Sequence, residues 1–182
     1  GPNDTYTAVV HVARSPDLAL IEASAPPVAF LSDYAQVSWT VQNLGAIDAN
    51  NGRYDLVYLS DDDTWDGADT FLDNFYYGGL AANASYTFEE SIYVPSYATA
   101  GLKFLLFIAD GYEYQGESDE TNNVRAVPVE LAIPDADLTV SSVSTPEVVS
   151  VGQSFQVSWT VANSGTATAN SPYWYDRVLY ST

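Results

Sequence analysis

Gln36-Val37-Ser38-Trp39-Thr40-Val41 decides the fold, because the same six residues return as Gln156-Val157-Ser158-Trp159-Thr160-Val161. Val37, Trp39 and Val41 alternate with Ser38 and Thr40, which is the period of a strand with one face in a core and the other in water. Outward from this strand, Asp17 to Asn50 and Asp137 to Asn170 match at 15 of 34 positions without a gap, and Asn43-x-Gly45 recurs as Asn163-x-Gly165. Asp55 corresponds to Asp176 through a one-residue insertion. Such a fixed period is the signature of a repeated module. It divides the chain into residues 1–16, read as the last strand of a preceding repeat plus a linker, residues 17–133 as a complete repeat, and residues 134–182 as a partial one carrying strands A to C.

The complete repeat reads as short strands near 17–23, 36–41, 54–60, 71–77, 85–94, 102–109 and 123–133. They are punctuated by Pro26-Pro27, Asn50-Asn51-Gly52, Gly78-Gly79, Pro95 and Gly101. No stretch has the period of an amphipathic helix. Leu102 to Ala109 is almost wholly apolar and belongs in the middle of a sheet, covered on both faces. Seven strands in this length predict an all-β, immunoglobulin-like seven-stranded sandwich repeat, followed by a partial second repeat. Val37, Trp39, Val41, Phe88, Phe104, Leu106 and Ile108 are its expected interior.

Five Lys plus Arg stand against 24 Asp plus Glu, a formal net charge of −19. This excludes nucleic acid and anionic lipid as natural partners. No run of 18 apolar residues exists, which argues against membrane insertion. Without Cys the repeat has no disulfide and no thiolate site, and its sole His, His11, lies in a strand-like stretch outside the complete repeat. A Ser-His-Asp or Cys-His nucleophile is thereby excluded, and the chain is read as no enzyme.

Four further features carry a family resemblance. Pro16-Asp17-Leu18 opens a strand, Val37 to Gly45 reads Val-Ser-Trp-Thr-Val-x-Asn-x-Gly, Asp55 to Ser60 precedes an Asp-rich loop, and Glu117 to Asn123 ends in Asn-Asn. In that order they resemble CARDB, the cell-adhesion-related domain found in bacteria. The resemblance implies a non-catalytic, extracellular repeat of a bacterial adhesin, surface fibre or sheath, acting as a spacer or interaction module at the cell surface. One departure is Leu56, where the pattern and the second copy have Arg, as in Asp176-Arg177-Val178.

Six acidic residues fall in Asp61 to Asp73 and five in Asp110 to Glu120, with no Lys or Arg in either stretch. A hard divalent cation takes six to eight oxygens, and closely spaced carboxylates around a turn-forming Gly67 supply that chemistry. Ca²⁺ is therefore the cofactor expected at Asp61, Asp63, Asp66 and Asp69, with Asp135 and Asp137 of the inter-repeat linker. Asp110, Glu117 and Glu120 form a lesser candidate set. A solvated acidic face is the competing explanation for both stretches.

The alternative function is a carbohydrate-binding module, with Trp65, Tyr76, Tyr77, Tyr112 and Tyr114 as a stacking platform for a cell-surface glycan. Partners expected for residues 137–182 are neighbouring repeats or identical subunits that complete its strands, which could build a filament. Asn3-Asp4-Thr5 and Asn83-Ala84-Ser85 are glycosylation sequons.

Overall fold

The computed structural model describes residues 15–169 and 174–179, which include ten β-strands and no helix. The chain divides into two compact units, 1–132 and 133–182. His11 and the strand expected at 5–13 lie outside the described residues.

In the first unit, β1 (Leu18–Ser24), β3 (Tyr34–Asn43) and β6 (Ser85–Tyr93) form one antiparallel sheet in the order β1-β3-β6. The second sheet runs β2-β8-β7-β4-β5, built from β2 (Val28–Phe30), β8 (Val124–Ala132), β7 (Gly101–Ile108), β4 (Arg53–Ser60) and β5 (Thr70–Tyr77). The seven expected strands are joined by β2, a three-residue strand paired in parallel with β8. Its brevity hid it: Pro26-Pro27 redirects the chain from one sheet to the other within a few residues, too few to show a period.

Alternation places the core. Along β3, Ala35, Val37, Trp39, Val41 and Asn43 are buried while the intervening residues face solvent. Trp39 stands at the centre, its ring 5.1 Å from Phe75, 5.1 Å from Phe88 and 5.3 Å from Phe107, so residues of both sheets meet on it. On β1 a bulge at Ile21 lets Leu18 and Leu20 point inward and still leaves Ser24 on the wet face, where its hydroxyl meets that of Ser38 at 2.8 Å.

β7 is the middle strand of its sheet and is buried on both faces. Its inward phase, however, is Leu105 and Phe107. Phe104, Leu106 and Ile108, expected in the interior, lie instead on the opposite face, where Leu56, Leu106 and Ile108 form a second cluster flanked by Tyr54, Tyr58, Phe104, Val124 and Ala126. The apolar run gave no alternation from which to choose the phase, and large tyrosines cover what would otherwise be an exposed sheet.

In the second unit β9 (Leu138–Ser144) pairs with β10 (Ser158–Asn163). Leu138 faces Asn163 as Leu18 faces Asn43, and the bulge recurs, with Ser141 extra where Ile21 was. Residues 174–179, expected as strand C, carry no strand pairing in the structure.

Candidate functional site

Three arrangements gather the polar residues of the complete unit. The first is internal. Arg53, Asp55 and Val57 are successive inward residues of β4, so strand alternation drives two charges into the core. The Asp55 carboxylate accepts from Trp39 Nε1 at 2.8 Å, from the Tyr86 hydroxyl at 2.8 Å and from the Asp110 backbone N at 3.3 Å. Burial pushes its pKa up, and the Trp39, Tyr86 and Asp110 donors, then the Arg53 charge, pull it back. Arg53 donates to the Gly78 carbonyl at 2.9 Å and lies 5.4 Å and 5.2 Å from the ring centroids of Tyr77 and Tyr86. Tyr77 is thus packed inside, stacked on Tyr86 at 3.7 Å, and leaves the set of possible stacking residues. Arg53 and its ring partners had not been singled out from the sequence. The recurrent Trp and Asp were the available signal, since Trp159 Nε1 also donates to Asp176 Oδ2 at 2.8 Å.

The second arrangement joins the start of β1 to the loop between β7 and β8. Asn43 Oδ1 accepts from Asp17 N and Gly45 N, and its Nδ2 donates to the Ile47 and Leu80 carbonyls. Asn163 repeats the pattern with Asp137 N, Gly165 N and the Ala167 carbonyl. Of the lesser metal candidates, Glu117 accepts from Leu18 N and from Asn123 Nδ2, Glu120 accepts from the same amide at 3.0 Å, and Asp110 accepts from Tyr114 N and Gln115 N. These carboxylates hold backbone in place. Desolvation, with the charges of Glu120 and Asp110, raises Glu117 to about 7.

The third arrangement is the loop 61–69, which lies at the far end of β4 and bears Trp65, a residue that packs over the outer face of the five-stranded sheet. The Trp65 ring is 6.2 Å from that of Tyr58, and Tyr58 is 5.4 Å from Phe71. Trp65 also shares a small cleft with Asp110, Gly111, Glu113, Glu120 and Asn123, so the two acidic loops approach through this side chain.

Four of the five carboxylates of the loop have local partners. Asp61 pairs with Lys103, Asp62 Oδ1 accepts from Thr64 N, Asp66 Oδ1 from Ala68 N, and Asp69 Oδ2 from Asp66 N. Asp63 is exposed. Asp135 and Asp137 belong to the second unit, where they bond Thr166 and Ser164. Among the described residues no group of three or more His, Cys, Asp or Glu converges as a cation cage would require. The loop is folded with Asx turns at Asp62 and Asp66.

A family model for CARDB matches residues 15–127. The chain belongs to the CARDB family. This is a cell-adhesion-related domain, and the match spans the first unit and stops inside β8. Among solved structures, the chain is similar to the CARDB domain of a Pyrococcus furiosus protein, crystallised in complex with di-metal ions, at 21% identity and a TM-score of 0.51; the alignment covers 68% of this chain and 98% of that one. A solution structure of that domain aligns at 24% identity and a TM-score of 0.51, covering 65% of this chain and 97% of the other. At these identities the likeness establishes the fold. No curated protein matches the chain. The Val-Ser-Trp-Thr-Val-x-Asn-x-Gly stretch of this chain maps onto the bonds described above, supplying Trp39, Asn43 and Gly45, the three residues that clamp β3 to β4 and to the entry of β1. Among the described residues no helix is long and apolar enough to cross a membrane.

Proposed function

We propose that this CARDB chain is a window of a tandem array of immunoglobulin-like sandwiches on an extracellular surface, where each module acts as a non-catalytic spacer and presents its loops for interaction. The observation that carries this reading is the recurrence of one bonding pattern in both copies. Trp39 and Trp159 each donate to an Asp at 2.8 Å, and Asn43 and Asn163 each tie their own entry strand to a following Gly. A functional site under separate selection would not need to be repeated together with its scaffold, whereas a mechanical module is its scaffold.

Several properties support it. Asp55, Asp110 and Glu117 of the first unit are spent on holding strands and turns, and the high negative charge keeps neighbouring modules apart and soluble. Apolar residues of the second copy, among them Val140, Val143 and Trp159, line one open surface, while their counterparts Leu20, Ala23 and Trp39 are covered by the second sheet of the first copy. Divalent cations enter this reading as screening ions over the loop 61–69.

Single-molecule stretching of the whole chain linked head to tail tests the spacer role. Each complete module should unfold as one event with a contour gain of roughly 40 nm, from about 3.5 Å per residue. Gradual extension without such events would remove the reading, and so would hydrolysis of any substrate in a glycoside panel at rates above background.

A further inference from the structure

We propose that the notch formed by Tyr58, Trp65, Asp66 and Asp69 on the outer face of the five-stranded sheet is a binding site for an arginine side chain of a partner protein. The notch is open and bounded by two aromatic rings, a glycine and two carboxylates. Its rings stand 6.2 Å apart at 53°. At that separation the two rings are in contact with each other, so a planar cation would stack on the solvent-exposed side of Trp65 rather than enter between them. Guanidinium is planar, weakly hydrated and cationic, so it stacks on an indole while its fork addresses a carboxylate.

The charges select a cation. Asp66 and Asp69 each spend one carboxylate oxygen on a backbone N–H of the loop itself, at 2.7 Å and 2.8 Å, which fixes both groups beside Trp65 and leaves the second oxygen of each for a ligand. Burial, then the neighbouring Tyr112 and the Asp69 charge, hold the Tyr58 phenol above its usual pKa.

No cation among the described residues of the first unit serves the notch. Lys103 is taken by Asp61, Arg125 donates to the Ile21 carbonyl, and Arg53 is buried in the core. Trp65 is 40% exposed and Phe71, next in the row of rings, is 45% exposed, so the aromatic surface is left for something outside the unit. With a formal charge of −19 on the chain, that something is favoured to be positive.

The test is a titration of the isotopically labelled full chain with a capped Arg-Gly repeat peptide, in chelator and about 0.15 M salt, following backbone amides and the Trp65 indole N–H. Saturable shifts centred on residues 58–69 are expected. Trp65→Ala should weaken binding at least about tenfold, Trp65→Phe less, and Asp66→Asn with Asp69→Asn at least about tenfold. Asp62→Asn with Asp63→Asn removes the same charge outside the notch and should change affinity less than about twofold. Equal losses from the two double variants would mean general polyelectrolyte attraction and overturn the site. Retained affinity in Trp65→Ala would do so too. Laminari- and cello-oligosaccharides, and calcium alone, form the comparison arms: saturable shifts at Trp65 with either, and none with the peptide, would assign the notch to sugar or to metal instead. The other amide positions in each variant report that the fold is kept.

Discussion

Trp39 Nε1 lies 2.8 Å from Asp55 Oδ2, a buried bond that ties the central strand of one sheet to the second sheet across the core. The same carboxylate also takes the Tyr86 hydroxyl and Asp110 N, so it satisfies three otherwise isolated donors at the level of the main core. Truncating it leaves those donors, and the Arg53 charge beside them, without compensation. Asp55→Ala should therefore cost about 3–5 kcal/mol, the range seen when one partner of a buried charged network is removed. Asp55→Asn keeps acceptor oxygen and shape and should cost less. Urea unfolding of the full chain, followed by tryptophan emission, measures both. A loss below about 1 kcal/mol for the alanine variant would mean that the network contributes little.

Glu117 gives the unit an unusual dependence on pH. Its folded pKa, about 7, is above its unfolded value because desolvation and the charges of Glu120 and Asp110 penalise the carboxylate. The folded state therefore binds this proton more tightly than the unfolded chain does. Its contribution is fully present below about pH 4.5 and is lost as pH rises through 7. Glu117 is half-buried, so solvent screening reduces the effect to about 1 kcal/mol. Parent and Glu117→Gln should differ in stability by a different amount at pH 5 and pH 8, with the variant gaining relative to the parent at the higher value. Parallel stability curves across that range would dismiss the effect.

Gly45 packs against the backbone that enters β1. A Cβ there would fall 2.7 Å from Pro16 Cα and Ser15 O and 2.8 Å from Asp17 N. Neither side can yield without breaking the Asn43 bonds that set the Asp17 turn. Gly165 makes the same approach to the backbone of Asp135, Ala136 and Asp137. Gly45→Ala should destabilise the unit by about 1–3 kcal/mol, the usual cost of forcing atoms into a filled space. The amide of Leu44, which bonds the Asp17 carbonyl at 2.6 Å, should then lose hydrogen-exchange protection ahead of the β3 interior.

These contacts also show where sequence was informative. Val37, Trp39 and Val41 alternate so strictly that their direction, and hence the sandwich, could be read without coordinates. The same logic failed on Leu102 to Ala109, because a strand buried on both faces has no polar phase and the choice between Leu105 and Leu106 is made by neighbouring strands. At the acidic loop the composition was legible and the geometry was not. Spacing alone cannot distinguish a carboxylate aimed at an ion from one folded back onto the next backbone N–H, as Asp62 and Asp66 are. Nor could local pattern place Trp65 against Tyr58, since that contact depends on how the loop folds over the sheet.

That fold-back decides what calcium does. Coordination of Ca²⁺ by six to eight oxygens would require Asp61 to leave Lys103 and would have to draw together carboxylates that do not converge among the described residues. Those losses offset much of the gain from coordination, whereas diffuse screening of six like charges in 13 residues needs no rearrangement. Calcium and magnesium at equal ionic strength should therefore raise the melting temperature alike and by little. Thermal melts of the full chain in calcium, magnesium and chelator, with the parent and with Asp63→Asn plus Asp66→Asn, are the measurement. A rise specific to calcium, present in the parent and absent from the double variant, would show that the loop refolds into a cage, and the notch at Trp65 would then be remodelled with it.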